Sequence, residues 1–580
     1  MKKIPLIIFA FLWGYFSLAQ EATPFNESGK ELAAKKDYEG AIIAFSKAIV
    51  LDSAYFAAYY NRANAKSDLK KYAESISDYT QAIRLKPDYK EAYNNRGVAY
   101  TAQNQFKQAE ADYQKAITID PNYANAYFNL GDLFLKKNDY SQAATYFSKA
   151  TQLAPNDPVA FYYKGLAEYH RQQYDQAVQD FSQSMVLKSN NADAYYYRAS
   201  AKYAQKKFAA AIEDYNTCIS INPTYANAFY YRGLANLNTQ KAAAALTDFT
   251  QAIQINPSLP NFYVGRGQAQ FQLKKYSAAE TDFNQAINLA EPDIPEALEG
   301  RGAVRVKQRN YTAGIADCTA AIDMNLKTEL VFQSRADAYF ALRQYKKAVP
   351  DYTEAIKLNQ QNPDTYYGRG YARYELNLYK EAIDDFTKTL QLDEKYVDAY
   401  NYRGNSMHFL GNDQGALNNY NQAIAVNPRY AKAYSNRSIV QRSLFDNYQA
   451  ALADCNKAIE LNPKLQQAYI NRAGVKIHQN DYKGARADFD KSVEVAPKFA
   501  ESYLARANFL VGMKNLTAAL ADYNKAIDLD PQNADAYFKR ATLHAQQNNL
   551  SGACKDWQAA KKLGNTAAAA YLQQNNCGNK

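Results

Sequence analysis

The chain has 580 residues, 14% of them aromatic including 51 tyrosines, and a formal net charge of +10. With acids and bases interleaved from end to end, that charge does not form the basic stripe that nucleic acid requires. Four histidines and five cysteines scattered over this length exclude a conventional metal framework.

Lys2 and Lys3 precede the apolar run Ile4 to Leu18, and Ser17-Leu18-Ala19 places small residues before a cut at Gln20. The pattern predicts a secretory signal peptide over residues 1–19, the alternative being an uncleaved N-terminal anchor. Losing Lys2 and Lys3 takes the formal charge from +10 to +8. No other stretch is long and apolar enough to suggest a membrane span, so the mature chain is expected to be exported, periplasmic or secreted, without a transmembrane segment.

From residue 22 onward the chain repeats every 34 residues, as in AYYNRANA from Ala58, AYNNRGVA from Ala92 and AYYYRASA from Ala194. Within one unit Tyr93, Gly97 and Tyr100 recur at i, i+4, i+7, and Ala109, Tyr113, Ala116 and Ile117 at i, i+4, i+7, i+8. Both are helical spacings. A polar run, Gln103 to Gln105, separates them, and Ile119-Asp120-Pro121 ends the second because proline lacks the donor and clashes with the preceding turn. Each unit is therefore a hairpin of two helices, A and B, numbered here so that Gly97 is position 8.

Position 8 is Gly, Ala or Ser in all sixteen copies, position 20 is Ala in all but Ser75 and Gly314, and position 24 carries aromatics such as Tyr79, Tyr113, Phe147 and Phe181. This pattern resembles the tetratricopeptide repeat over about residues 22–565. The resemblance implies an all-α solenoid of 16 hairpins, with small residues letting helix A approach helix B. The expected organisation is a signal peptide at 1–19, a repeat array at 20–565 counted as one unit, and a capping helix and tail at 566–580, where the sequence changes to TAAAAYLQQNN. The period slips by one residue at Glu291 to Pro295 and again near Leu444 to Tyr448.

Because the repeats align with one another, covariation is visible inside a single sequence. Position 7 is Arg in 13 copies and Lys164 in one, and position 23 is Asp in 13; the pairs include Arg62 with Asp78, Arg96 with Asp112, and Arg369 with Asp385. The two copies without the base, Ser28 with Ala44 and Leu130 with Tyr146, also lack the acid, and Arg403 with Asn419 is the exception. A structural ion pair between helices A and B is expected.

The resemblance also implies that positions 2, 5, 9, 12 and 13 of the A helices line a concave groove. Phe128, Tyr162, Leu166, Tyr169, Tyr196, Tyr203, Tyr230 and Leu234 then form an apolar stripe, with Tyr367, Tyr371 and Tyr374 as a second patch. Two readings stand: a binding surface for another protein or an extended peptide, or rings covered by neighbouring repeats. A glycan ligand or an envelope-assembly role is the alternative. Cys218, Cys318 and Cys455 read as buried fillers, whereas Cys554 and Cys577 are candidates for a disulfide that pins the cap. His170, His408, His478 and His544 lie in different repeats, and no phosphate loop or nucleophile elbow is present, so no cofactor, metal or catalytic residue is expected. The expected function is a non-catalytic interaction scaffold.

Overall fold

The computed structural model describes residues 21–291 and 294–577, and the expected signal peptide lies outside them. All the regular structure among these residues is helical. The chain divides into two compact units, residues 1–293 and 294–580. The division falls at the first slip in period, Glu291 to Pro295.

Unit one holds hairpins 1 to 8. They run from α1 (21–34) and α2 (Tyr38–Leu51) to α15 (Pro260–Gln272) and α16 (Tyr276–Leu289). Unit two holds hairpins 9 to 16, from α17 (Pro295–Lys307) and α18 (Tyr311–Asp323) to α31 (Ala534–Gln546) and α32 (Leu550–Lys562), followed by α33 (Thr566–Gln574). Within each unit, helix B packs both on its own helix A and on the next, so the core is a chain of small clusters.

Each hairpin closes the same way. Helix A ends, one residue takes a left-handed conformation (Asn104 at φ 59°, Asn548 at φ 61°), and the following N–H turns back onto helix A, as Gln105 N to Tyr100 O at 2.9 Å. Several B helices then start on an Asn or Asp cap: Asp139 accepts from Gln142 N at 3.1 Å, and Asn549 from Gly552 N at 3.0 Å. Helix A begins with proline at 158, 260, 295 and 363, where the missing donor costs nothing. At the second slip the extra residue is absorbed by a longer helix A, Ala431–Phe445, capped by Asp446 at φ 46°.

The small positions set the distance between helices. A Cβ built on Gly97 would lie 2.6 Å from the Tyr113 ring, and one on Gly404 2.7 Å from Tyr420. α33 repeats the start of a helix A: its Ala568 is fully buried, as is Ala536, the third residue of α31. It stops after 9 residues rather than 13, with Leu572 where an array member would carry arginine.

Candidate partner-binding surface

The polar framework beneath the surface is a ladder. Arg62 donates through Nε (2.9 Å) and Nη2 (2.7 Å) to Asp78 of its own helix B, and through Nη1 to Ser46 Oγ of the preceding hairpin at 3.0 Å. Arg96 does the same with Asp112 and Thr80, and in unit two Arg369 with Asp385 and Thr353. The acids are nearly buried, Asp385 at 2% exposure, and bidentate pairing with a planar guanidinium is the strong form of this contact.

Two members of the ladder were not read from the sequence. One is position 25 (Ser46, Thr80, Thr353, Asn524), whose only regularity is a short polar side chain. The other is position 11, which supplies a second cation to the same carboxylate: Lys202 to Asp214 at 2.7 Å and Arg373 to Asp385 at 2.6 Å. Asp112 and Asp180 face Tyr100 and Glu168 at that position instead. Burial raises both carboxyls above the usual range against the opposing pull of Arg96 and Lys164. Where base and acid are both missing, Leu130 is fully buried and Tyr146 stacks on Phe134 at 5.4 Å, so an apolar contact replaces the polar one.

The aromatic stripe of unit one is half-buried. Tyr196 stacks on Tyr225 at 5.0 Å, Tyr230 meets Phe262 at 5.1 Å, and Phe128 meets Tyr163 edge-on at 5.5 Å. Tyr162 and Tyr169 both contact Tyr197 of the next helix A, and Tyr203 contacts Tyr231. Leu166 and Leu234 pack beside them against the buried clusters around Phe181 and Phe249. Burial pushes the Tyr169 phenol up to about 12. Each ring thus has part of its surface against the following hairpin and part in solvent. In unit two, Tyr367, Tyr371 and Tyr374 behave alike, gathered around Tyr402, with Tyr371 to Tyr402 at 4.6 Å. The ring at position 6 of the next helix, Tyr197, Tyr231 or Tyr402, was overlooked in the sequence because it falls outside the groove positions.

The phenol hydroxyls of interhelix tyrosines lock successive hairpins: Tyr225 donates to Asp193 at 2.8 Å and Tyr396 to Asp364 at 3.0 Å.

The remaining candidates are structural. Cys554 and Cys577 form a disulfide with Cα atoms 5.4 Å apart, tying the end of α33 to α32. Cys218, Cys318 and Cys455 are free and buried; burial pushes the first two thiols up to about 12 and the third up to about 11, the opposite of a reactive thiolate. His170 stacks on Tyr140 at 4.7 Å and His478 on Tyr448 at 5.1 Å, each bridging neighbouring hairpins. His408 bonds Asp413, and His544 lies 4.0 Å from Asp556. Among the described residues no group of three or more His, Cys, Asp or Glu is placed to hold a metal ion, and no helix is long and apolar enough to cross a membrane.

Family models match along the chain. One described as "Tetratricopeptide repeat" matches residues 91–123, 124–157, 192–225 and 363–396, and one described as "TPR repeat" matches 63–103, 336–377 and 510–548. Two further models described as "Tetratricopeptide repeat" match 264–325 and 466–499. No curated protein matches the chain in sequence. Among solved structures it is similar to YrrB, "a TPR protein with an unusual peptide-binding site", at 23% identity over 32% of this chain and 95% of that one, with a TM-score of 0.30. It is similar to the APC/C hetero-tetramer Cut9-Hcn1 at 14% identity over 84% and 96%, with a TM-score of 0.36. A tetratricopeptide repeat protein from Parabacteroides merdae ATCC 43184 shares 21% identity over 43% and 98%, with a TM-score of 0.36.

Proposed function

The chain carries tetratricopeptide repeats, a repeat type whose proteins generally bind other proteins or peptides, and from that premise we propose that it is an exported, non-catalytic scaffold holding a partner segment on the A-helix side of its hairpins. The observation that carries this reading is the continuous row of half-exposed rings from Phe128 to Tyr230. Packing uses part of each ring and leaves the rest in water, over successive hairpins, as an extended apolar strip. Export is supported by the charged-then-apolar start of the sequence, Lys2 to Ala19, and by the Cys554–Cys577 bond, which persists in an oxidising compartment.

The test is affinity capture from the native cells with the wild-type chain and two double variants. A partner lost with Tyr162→Ala/Tyr196→Ala and kept with Tyr162→Phe/Tyr196→Phe, which preserves both rings, supports the scaffold. A partner captured equally by all three sinks the assignment to this strip, and saturable binding to insoluble polysaccharide would favour the glycan reading instead.

A further inference from the structure

At the three junctions where position 12 is itself a tyrosine, the array fills one recurrent space with a ring of its own. The position-6 tyrosine of the following helix A packs over positions 9 or 12 and the core aromatic of the hairpin before it: Tyr197 on Tyr169 and Phe181, Tyr231 on Tyr203 and Tyr215, Tyr402 on Tyr374 and Phe386. Their centroid distances to the core rings are 6.1, 6.5 and 6.3 Å. Between hairpins 15 and 16 the same place belongs to Lys539. Its amine turns toward Asp535, 3.9 Å away, and a cavity of about 370 Å³ is left.

Val511, Tyr523, Phe538 and Tyr571 line this cavity together with Lys539 itself, and Asn508 and Thr542 are polar groups in the lining. Tyr571 belongs to α33, packs edge-on against Phe538 at 5.1 Å, and is held there by the disulfide at Cys577. The volume lies in the range of small-ligand sites, and the lining mixes apolar rings with a few hydrogen-bonding groups.

We propose that this cavity is an anchoring site for the aromatic side chain of a partner polypeptide, supplying in trans the ring that Tyr197, Tyr231 and Tyr402 supply in cis. The inference rests on the scaffold reading above and names the partner's anchor: a tyrosine or phenylalanine. The ring enters between Val511, Tyr523 and Phe538. Asn508, whose Oδ1 already accepts from the Tyr523 hydroxyl at 2.8 Å, offers its Nδ2 to the polar groups beside the ring, Thr542, which donates to Phe538 O at 3.0 Å, offers an acceptor, and the cap forms the far wall. Offset or edge-to-face contact with Tyr523 and Phe538 gives the site its preference for an aromatic over an aliphatic group.

The probe is N-acetyl-tyrosinamide, followed by ligand-observed NMR on the full chain, with N-acetyl-leucinamide as the aliphatic comparison. Saturable binding of the tyrosine amide is expected, stronger than that of the leucine amide, and weakened about tenfold or more in Lys539→Tyr, which fills the cavity as Tyr197 fills its own junction. Lys539→Tyr is expected to melt no lower than wild type; Val511→Phe is the second filling variant should it do so. Absence of saturable binding in the wild type, or equal binding in both filling variants, overturns the proposal. Tyr162→Ala/Tyr196→Ala separates the two readings: it should leave the probe bound here even where it abolishes partner capture. Partner capture indifferent to those two rings but lost in Lys539→Tyr would keep this site and discard the strip.

Discussion

Arg540 and Asp556 meet through two hydrogen bonds of 2.7 Å, and the remaining Nη1 of Arg540 reaches Asn524 of the preceding hairpin at 2.8 Å. One guanidinium therefore ties three helices. Its net worth depends on burial: an exposed pair contributes about 0–1 kcal/mol, whereas stripping one partner from a buried pair costs about 3–5 kcal/mol because the other charge is stranded.

Removing the acid from one rung should expose this. Asp385→Ala leaves Arg369 and Arg373 facing an empty site and is expected to lower stability by about 3 kcal/mol or more, while Asp384→Ala, on the exposed side of the same helix, should stay within about 0.5 kcal/mol. Thr353→Val, which removes the acceptor for Arg369 Nη1 and the hydroxyl's own bond to the Val349 carbonyl, should fall between them at about 1 kcal/mol. Urea unfolding followed by circular dichroism measures all three; equal midpoints for the two aspartate variants would contradict the buried-pair account.

Glu299 on α17 gives a pH dependence of defined sign. It is 7% exposed; burial raises its carboxyl above the usual range, and the neighbouring Glu296 adds to this against the pull of the Thr328 hydroxyl. The folded chain then binds this proton more tightly than the unfolded chain. The group's contribution is most favourable below the ordinary carboxylate pKa and is lost as pH rises through the raised value. Glu299→Gln should accordingly melt above wild type at pH 7 to 8, with the difference shrinking toward a pH of about 4. A pH-independent difference in melting temperature would refute the assignment.

The cap can be counted in thiols. Denatured without reductant, the chain should show three reactive thiols, from Cys218, Cys318 and Cys455, and all five only after reduction. In the native state those three should react slowly, being buried and protonated. Cys577→Ser should lower the stability of the last hairpin by about 3 kcal/mol, the expectation for closing a loop of 23 residues. Five thiols without reductant would exclude the bond.

Helix A and helix B approach as closely as position 8 allows. Gly97→Ala puts a Cβ 2.6 Å from the buried Tyr113 ring, which must shift toward the placement Tyr79 and Tyr215 take beside Ala63 and Ala199; the gain in helix propensity offsets part of this, leaving a cost of about 1 kcal/mol or less. Gly97→Val forces branched methyl groups toward the Tyr113 ring and should cost about 1–3 kcal/mol in a thermal melt. Indifference to both substitutions would show that the ring is free to move away.

Hairpins, turns and the small positions were legible because each is repeated sixteen times under the same steric demand. The meeting of position 7 with position 23 was legible for another reason: stranding a buried charge is costly, so both members change together at Leu130 and Tyr146, and where Arg403 lost its acid it kept a neutral acceptor, Asn419 Oδ1 at 2.8 Å. Position 25 was not legible, since Ser, Thr, Asn and Asp all accept a hydrogen bond and leave no single letter to follow. The interleaving of Tyr162, Tyr169 and Tyr197 was hidden because spacing along one helix carries no information about which ring of the next helix lies over it.

The ladder is interrupted in unit one. Hairpin 4 has Leu130 in place of the arginine, and hairpin 5 has Lys164, which bonds Asp180 at 2.9 Å as a point donor rather than a fork. A stack with equal rungs frays from its ends, whereas here two successive rungs are altered, and at the first of them the apolar cluster around Leu130, Phe134 and Phe147 takes over from the ion pair. The cohesion of neighbouring hairpins thus changes from charge-based to apolar where the tyrosine strip begins, so added salt should weaken the contacts flanking hairpin 4 more than the contact within it.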